Sequence, residues 1–316
     1  MVKIAISGGS GEVAHEIIDK LLAKGKHEIV ILSRKDPNPE ETIEGTTWAK
    51  VDYADKESLL RALQGAHTVL CFITSHLDPE GTAQKNLVDA AIEAGVKRFA
   101  PSEWSAADSS VFPWYSPKLL MREYLVELNK DKKVIEYTLF QPGMFLDYFA
   151  NPYKTSKYLT QLEMNIDFQN RRAIVLDGLD YTMVYTALKD LTDVVVRAIE
   201  YEGEWPVTGG IRGNLVSASE ILAIGEKVRG KPFSVEKLKT EDLKTGEIKS
   251  SWWPRVGHPS VPKEQVDAMS KMFLAGCLLG AAAGAYTVSD EWNRLLPDYK
   301  FTGIEEFLSD VWAGKP

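Results

Sequence analysis

The stretch SGGSGEVAHEII, Ser7–Ile18, stands directly behind the apolar run Lys3–Ser7 and leads into an amphipathic pattern. Three glycines within four positions are unfavourable in a strand or a helix, because glycine loses the most backbone freedom on ordering. At a strand-to-helix junction they predict a turn that must carry no side chains. Working outward, apolar runs at Lys3–Ser7, Glu28–Ser33, Trp48–Val51, Thr68–Ile73, Arg98–Ala100 and Glu136–Phe140 predict strands. Helical patterns at Gly11–Ala23, Lys56–Leu63, Thr82–Ala94 and Pro117–Leu128 separate them. Strands apolar throughout, alternating with amphipathic helices, predict a parallel sheet covered on both faces. The links GKHE, QGAH and AGVK carry the glycine expected at helix C-termini. Residues 1–150 are thus expected to form a doubly wound α/β domain of Rossmann type.

After Phe149 the alternation breaks, and residues 151–316 are expected to form a smaller α+β substrate domain. Ala187–Gly203 predicts a helix able to pack back on the first domain, with Asp190 placed to cap it and Val194, Val195, Ala198 and Ile199 on its apolar face. Ser217 with Glu220 predicts a capping box for a helix ending at Gly230. Met272–Tyr286, rich in Gly and Ala, predicts a close-packed interior helix, shorter than the roughly 20 residues of a membrane span. Lys237–Lys249 predicts a solvated loop and helix.

The chain has 316 residues, 44% hydrophobic and 26% charged, with a net charge of −8. That composition describes a soluble globular protein and argues against a nucleic-acid or anionic-membrane surface. Cys71 and Cys277 lie in apolar runs and read as buried, reduced thiols, with no metal role. With no signal-peptide layout at the start, the expectation is a cytoplasmic protein, monomer or homodimer.

GGSGEVA satisfies two spacings at once, G-x-G-x-x-A from Gly9 and G-x-x-G-x-x-A from Gly8. Gly8 suits the tight turn, Gly11 the close approach of backbone to a diphosphate, and Ala14 close helix–strand packing. Gly8, Ser10, Gly11, Glu12 and Val13 are therefore the candidate dinucleotide cradle. About 20 residues on, an NAD site places a carboxylate at the end of the second strand. Here the strand ends Ser33-Arg34-Lys35, two cations suited to a 2′-phosphate, so NADP(H) is expected over NAD(H). By position at strand ends, Asp52 is placed at adenine, Ile73 and Thr74 along ribose and diphosphate, and Pro101, Ser102, Pro142, Gly143 and Phe145 deeper in the cleft.

GGSGEVA, LSRK, GVKRFAPSEW, PKLLMREYL and QPGMFLDYF together resemble the NmrA-like and isoflavone-reductase-like branch of the atypical short-chain dehydrogenases. The resemblance covers the first 150 residues, and the Asp190–Asp193 helix and PDYKFTGIEEFL are also similar. It implies a Rossmann domain with a small C-terminal domain and an active site between them. It also implies that Lys118 contacts the nicotinamide ribose and assists proton transfer. A desolvated lysine suits that task, because burial lowers its pKa toward neutrality. Tyr153 and Lys157 match the Y-x-x-x-K pair of ordinary short-chain dehydrogenases, but fall after the sixth strand instead of on the helix before it. Tyr115, three residues before Lys118, is the other candidate facing the cleft.

Aromatic residues near the expected cleft, Trp104, Trp114, Tyr148, Tyr153, Trp252 and Trp253, with His76 and His258, point to a flat aromatic or heterocyclic substrate. The first reading is an NADPH-dependent reductase of such a metabolite, acting on C=C, C=N or C=O in secondary metabolism. Two others stay open. One is non-redox catalysis (cyclisation or isomerisation) with Glu103 or Asp147 as acid or base; the other is a redox-sensing regulator.

Overall fold

A computed structural model describes residues 1–38, 42–256 and 263–316. In the first half, β1 (Lys3–Ser7), α1 (Glu12–Lys24), β2 (Glu28–Ser33), β3 (Thr47–Lys50), α2 (Lys56–Leu63), β4 (Ala66–Cys71), α3 (Thr82–Glu93), β5 (Arg98–Ala100), α4 (Ser116–Leu128) and β6 (Glu136–Tyr137) follow the predicted alternation. These strands form one parallel six-stranded sheet in the order β3-β2-β1-β4-β5-β6. The order reverses between β1 and β4, which opens a crevice at the strands' carboxyl ends.

Next come β7 (Leu139–Gln141), β8 (Met144–Phe145), β9 (Ile166–Asp167), β10 (Arg172–Leu176), β11 (Thr182–Thr186), α5 (Leu188–Glu200), β12 (Thr208–Gly210), β13 (Asn214–Ser217), α6 (Ala218–Arg229), β14 (Ser234–Leu238), α7 (Thr240–Lys244), α8 (Val266–Ala282), α9 (Glu291–Leu295) and α10 (Ile304–Trp312). The expected sixth strand is split at Thr138, whose N–H still donates to the Phe99 carbonyl. Beyond it β7 pairs with β12 instead. That approach needs bare backbone, since a Cβ on Gly209 would lie 2.3 Å from Thr138 Oγ1. Two three-stranded sheets, β14-β10-β9 and β13-β11-β8, share a core with α6, α8 and α10 that includes Phe149, Phe168, Tyr185 and Trp312.

α5 lies on α1: Leu191, Val194, Val195 and Ala198 join Ile4, Ile6, Ala14 and Ile17 in one apolar cluster, together with Trp205 and Trp292. The first-half core is thus completed by residues from the second half. Asp190 does not cap α5, which corrects the sequence reading. The helix begins earlier, at Leu188, where Asp147 Oδ2 accepts the first N–H at 2.7 Å. Asp190, fully buried, instead accepts from Tyr299 Oη and from the N–H and hydroxyl of Thr302. The Ser217–Glu220 capping box forms as expected at α6. Gly276 and Gly280 of α8 face Trp114 and Phe112, with room for no side chain between.

Candidate functional site

At the carboxyl end of β1 the chain turns through Gly8 (φ +73°), where a Cβ would lie 2.7 Å from the Phe72 carbonyl. Only glycine combines that conformation with that contact. Gly11 N–H closes the turn onto the Gly8 carbonyl at 3.0 Å, and α1 starts with Gly11 as its cap residue and no side-chain cap. The N–H groups of the first helical turn have no partner within their own helix, so this end is suited to an anion. Ser10, Gly11 and Glu12 are exposed, Val13 is half-buried, and Ala14 packs into the core. Arg34 and Lys35 are exposed, and neither side chain pairs with a carboxylate among the described residues. Asp52 lies two residues past β3, where its carboxylate accepts from Ala54 N–H. Sequence reasoning missed its neighbour Tyr53, whose hydroxyl lies 2.5 Å from Ser7 Oγ, against the glycine turn. The turn, the free cations and the uncapped helix fit a phosphorylated dinucleotide.

Lys118, in the first turn of α4, is 7% exposed. Its ammonium donates to the Ser102 and Glu103 carbonyls, both at 2.6 Å, and lies 4.8 Å from the centre of the Tyr115 ring. Burial pulls its pKa down to about 8. Ser102 is fixed in turn by its N–H donating to the buried Gln84 Oε1. Two of the three ammonium protons are committed to carbonyls, so one more can be donated. Tyr115 Oη accepts from Ser105 Oγ at 3.2 Å, and burial raises its pKa, so the phenol stays protonated. Glu103 is 1% exposed and gives both carboxylate oxygens to Arg122. It anchors α4 to the β5 loop through this ion pair. Asp147 is similarly committed, accepting from Thr155 Oγ1 and Leu188 N–H.

Ile73 and Thr74 follow β4 beside the glycine turn, and the 3₁₀ turn Ser75–Leu77, which carries His76, packs against α4 and Pro113–Tyr115. Pro101 is buried beside Ser102. Pro142 and Gly143 form the β7–β8 bend; Gly143 (φ +73°) is required by β11, since a Cβ would lie 2.3 Å from the Val184 carbonyl oxygen. Phe145 is buried, with Tyr148 tilted against it at 5.6 Å. The Tyr148 phenol is pushed up by burial and by the neighbouring Tyr115 and Glu12.

The other predicted substrate aromatics each have partners within the protein. Trp104 (φ +45°) stacks between Phe72 and Phe140 and donates its Nε1–H to the Cys71 carbonyl. Tyr153 packs edge-on against Trp312, while Lys157 pairs with Asp19, so the Y-x-x-x-K match forms no couple. Trp253 donates to Asp267 beneath the Lys271 ammonium, and Trp252 carries the Arg172 guanidinium. His258 lies outside the described residues. Trp114 and Phe112, seated on the glycines of α8, stand beside Tyr115 instead. Cys71 and Cys277 are buried and free, both thiols pushed up to about 12 by burial. Among the described residues no cluster of three or more potential ligands could hold a metal, and no helix is long and apolar enough to cross a membrane.

Sheet order, glycine turn and crevice define a Rossmann-like α/β protein. The chain belongs to the NmrA-like family, whose model matches residues 2–308. It is 26% identical to an oxidoreductase of Botryotinia fuckeliana over 95% of this chain and 97% of that protein. It is 24% identical to a bifunctional pinoresinol-lariciresinol reductase of Linum perenne, over 96% and 97% of the two chains. Among solved structures, the NADPH-dependent quinone oxidoreductase of Escherichia coli, complexed with NADPH, superposes with a TM-score of 0.69 at 21% identity, covering 98% of this chain and 99% of that one. That last likeness concerns the fold.

Proposed function

We propose that the protein is a cytoplasmic NADPH-dependent reductase of a small aromatic or heterocyclic metabolite, working in secondary metabolism. The observation that carries the reading is Lys118, a buried ammonium held by two carbonyls at the carboxyl ends of the strands, one proton free, beside a protonated tyrosine. Oxidoreductase and reductase relatives that match nearly the whole chain support it. The glycine turn and the N-terminus of α1 would hold the diphosphate, and Arg34 and Lys35 the 2′-phosphate. NADPH, once bound, supplies the hydride for a C=C, C=N or C=O bond. Lys118 positions the ribose and, with a pKa near neutrality, delivers the accompanying proton directly or through a ribose hydroxyl. Trp114, Tyr115 and Tyr148, partly buried over the second-half core, would offer an apolar wall suited to a flat ring. Glu103 and Asp147 are held in structural bonds to Arg122 and to Thr155 and Leu188, which favours the lysine over either carboxylate as the proton donor.

The test is a fluorescence titration of the purified protein with NADPH and NADH, followed by NADPH consumption against quinones and lignan-type aromatics. Micromolar NADPH binding, much weaker NADH binding and turnover of an aromatic substrate are expected. Absence of nucleotide binding would overturn the reading.

A further inference from the structure

Residues 151–165 carry no regular secondary structure, and positions 157–160 of this strap lie against α1. Thr155 fixes one end through Asp147, and Asn151 Nδ2 donates across the strap to the Gln161 carbonyl. Three residues of the strap, Lys157, Tyr158 and Thr160, meet an acidic stripe. Glu12, Glu16 and Asp19 share one face of α1 at i, i+4 and i+7. Lys157 Nζ and Tyr158 Oη donate to Asp19, Tyr158 N–H to Glu16 Oε1 at 2.6 Å, and Thr160 to Glu12. Leu159, buried in the α1–α5 cluster, presses the strap inward. Thr160 occupies both carboxylate oxygens of Glu12, its N–H on Oε2 at 2.8 Å and its hydroxyl on Oε1 at 2.5 Å.

Glu12 is the first residue of the helix whose N-terminus faces the diphosphate position in the reading above. A carboxylate is favoured at a helix N-terminus and there competes with any other anion. We propose that Thr160 is a positioning residue for the nucleotide site: by engaging both oxygens of Glu12 it holds that carboxylate on the strap and leaves the N–H groups of the glycine turn to the diphosphate. The proposal rests on the assignment of NADPH to this turn. It makes the strap part of the cofactor site, although no strap side chain need touch the nucleotide.

The experiment compares NADPH dissociation constants of the full-length wild type, Thr160→Val, Glu12→Gln and the double variant, at low and high salt, with Tm measured alongside. Thr160→Val removes the hydroxyl donor at nearly constant volume and is expected to weaken NADPH binding roughly three- to tenfold. The deficit should shrink in high salt. The double variant should match Glu12→Gln, because without the charge there is nothing for Thr160 to restrain. Wild-type affinity in Thr160→Val overturns the proposal. So does a deficit that Glu12→Gln fails to rescue, since that would mean the strap acts through packing alone. A wild-type protein that binds no NADPH would instead overturn the assigned function, and this inference with it.

Discussion

At the scale of single residues, the proposed chemistry rests on Lys118. Its pKa of about 8 arises from burial, opposed by the Glu103 carboxylate. The ammonium form is therefore the main species at neutral pH and is lost above about 8. If that proton is delivered in the rate-limiting step, kcat should fall as pH rises through about 8. Lys118→Met should lower kcat by about 10²- to 10⁴-fold, the usual range for a lost general acid, while NADPH affinity changes far less. Stopped-flow turnover with a parallel binding titration checks both; a Lys118→Met enzyme of normal kcat would remove the lysine from the mechanism. Arg34 and Lys35 carry a second prediction. Replacing both with alanine should weaken NADPH roughly ten- to a hundredfold and leave NADH nearly unchanged, as expected for lost hydrogen bonds to a charged phosphate. Titration with both nucleotides measures the ratio directly. The sequence made these cations visible because they stand a fixed distance past the glycine turn. Tyr53 was hidden, since only folding brings its hydroxyl to Ser7. Thr160 was hidden for a related reason: one of its two bonds to Glu12 comes from the main chain, which no residue type announces.

At the scale of elements, the strands and helices of the first half were legible because a buried parallel strand must be apolar on both faces and its neighbouring helix on one. What the pattern could not show is how α5 joins that sheet. Arg98, 2% exposed in β5, reaches across to the C-terminus of α5 and donates to the carbonyls of Tyr201 at 2.8 Å and Gly203 at 2.6 Å, with Glu136 as its counter-charge. An arginine in GVKRFA reads as the polar start of a strand, so its role as the C-terminal cap of a helix a hundred residues away left no trace in periodicity. Arg98→Met should destabilise the fold by about 3–5 kcal/mol, because it takes the guanidinium from the mostly covered Glu136 carboxylate and leaves the buried helix-end carbonyls without a donor. Denaturant unfolding would read this as a lowered midpoint. The same limit explains the aromatics. Trp104, Tyr153 and Trp253 lie close in sequence to the expected cleft, yet each ring is held by a specific stack, cation or acceptor. By contrast, Phe112 and Trp114 pack beside Tyr115 because α8 offers glycines for them to rest on.

At the scale of the whole molecule, the two ends of the sheet do different work. The carboxyl end carries the glycine turn and Lys118. The amino end carries His27 just before β2 and His67 in β4, grouped with Lys26, Lys97, Arg98 and Glu200 around an open cavity of about 700 Å³. Burial holds both imidazoles below the ordinary histidine value of 6.5, with Arg98 and Lys97 adding to the shift at His67 and Glu200 partly opposing it at His27. Groups with depressed folded-state pKa values contribute stability that is complete above the unfolded value. As pH falls below about 6.5 the unfolded chain takes up protons that the folded protein resists, and that contribution declines until the folded values are passed. Acidification from pH 7.5 toward 5.5 should therefore lower Tm. Replacing His27 and His67 with glutamine, which keeps hydrogen-bonding capacity without titrating, should flatten that part of the profile. Because this cavity lies at the opposite end of the strands from the glycine turn, the glutamine variant should keep the wild-type affinity for NADPH at neutral pH. Thermal melts across pH together with a nucleotide titration test both halves of the argument. An unchanged slope would mean the imidazoles are solvated in the folded protein, and a lost affinity would mean the two ends of the sheet are coupled.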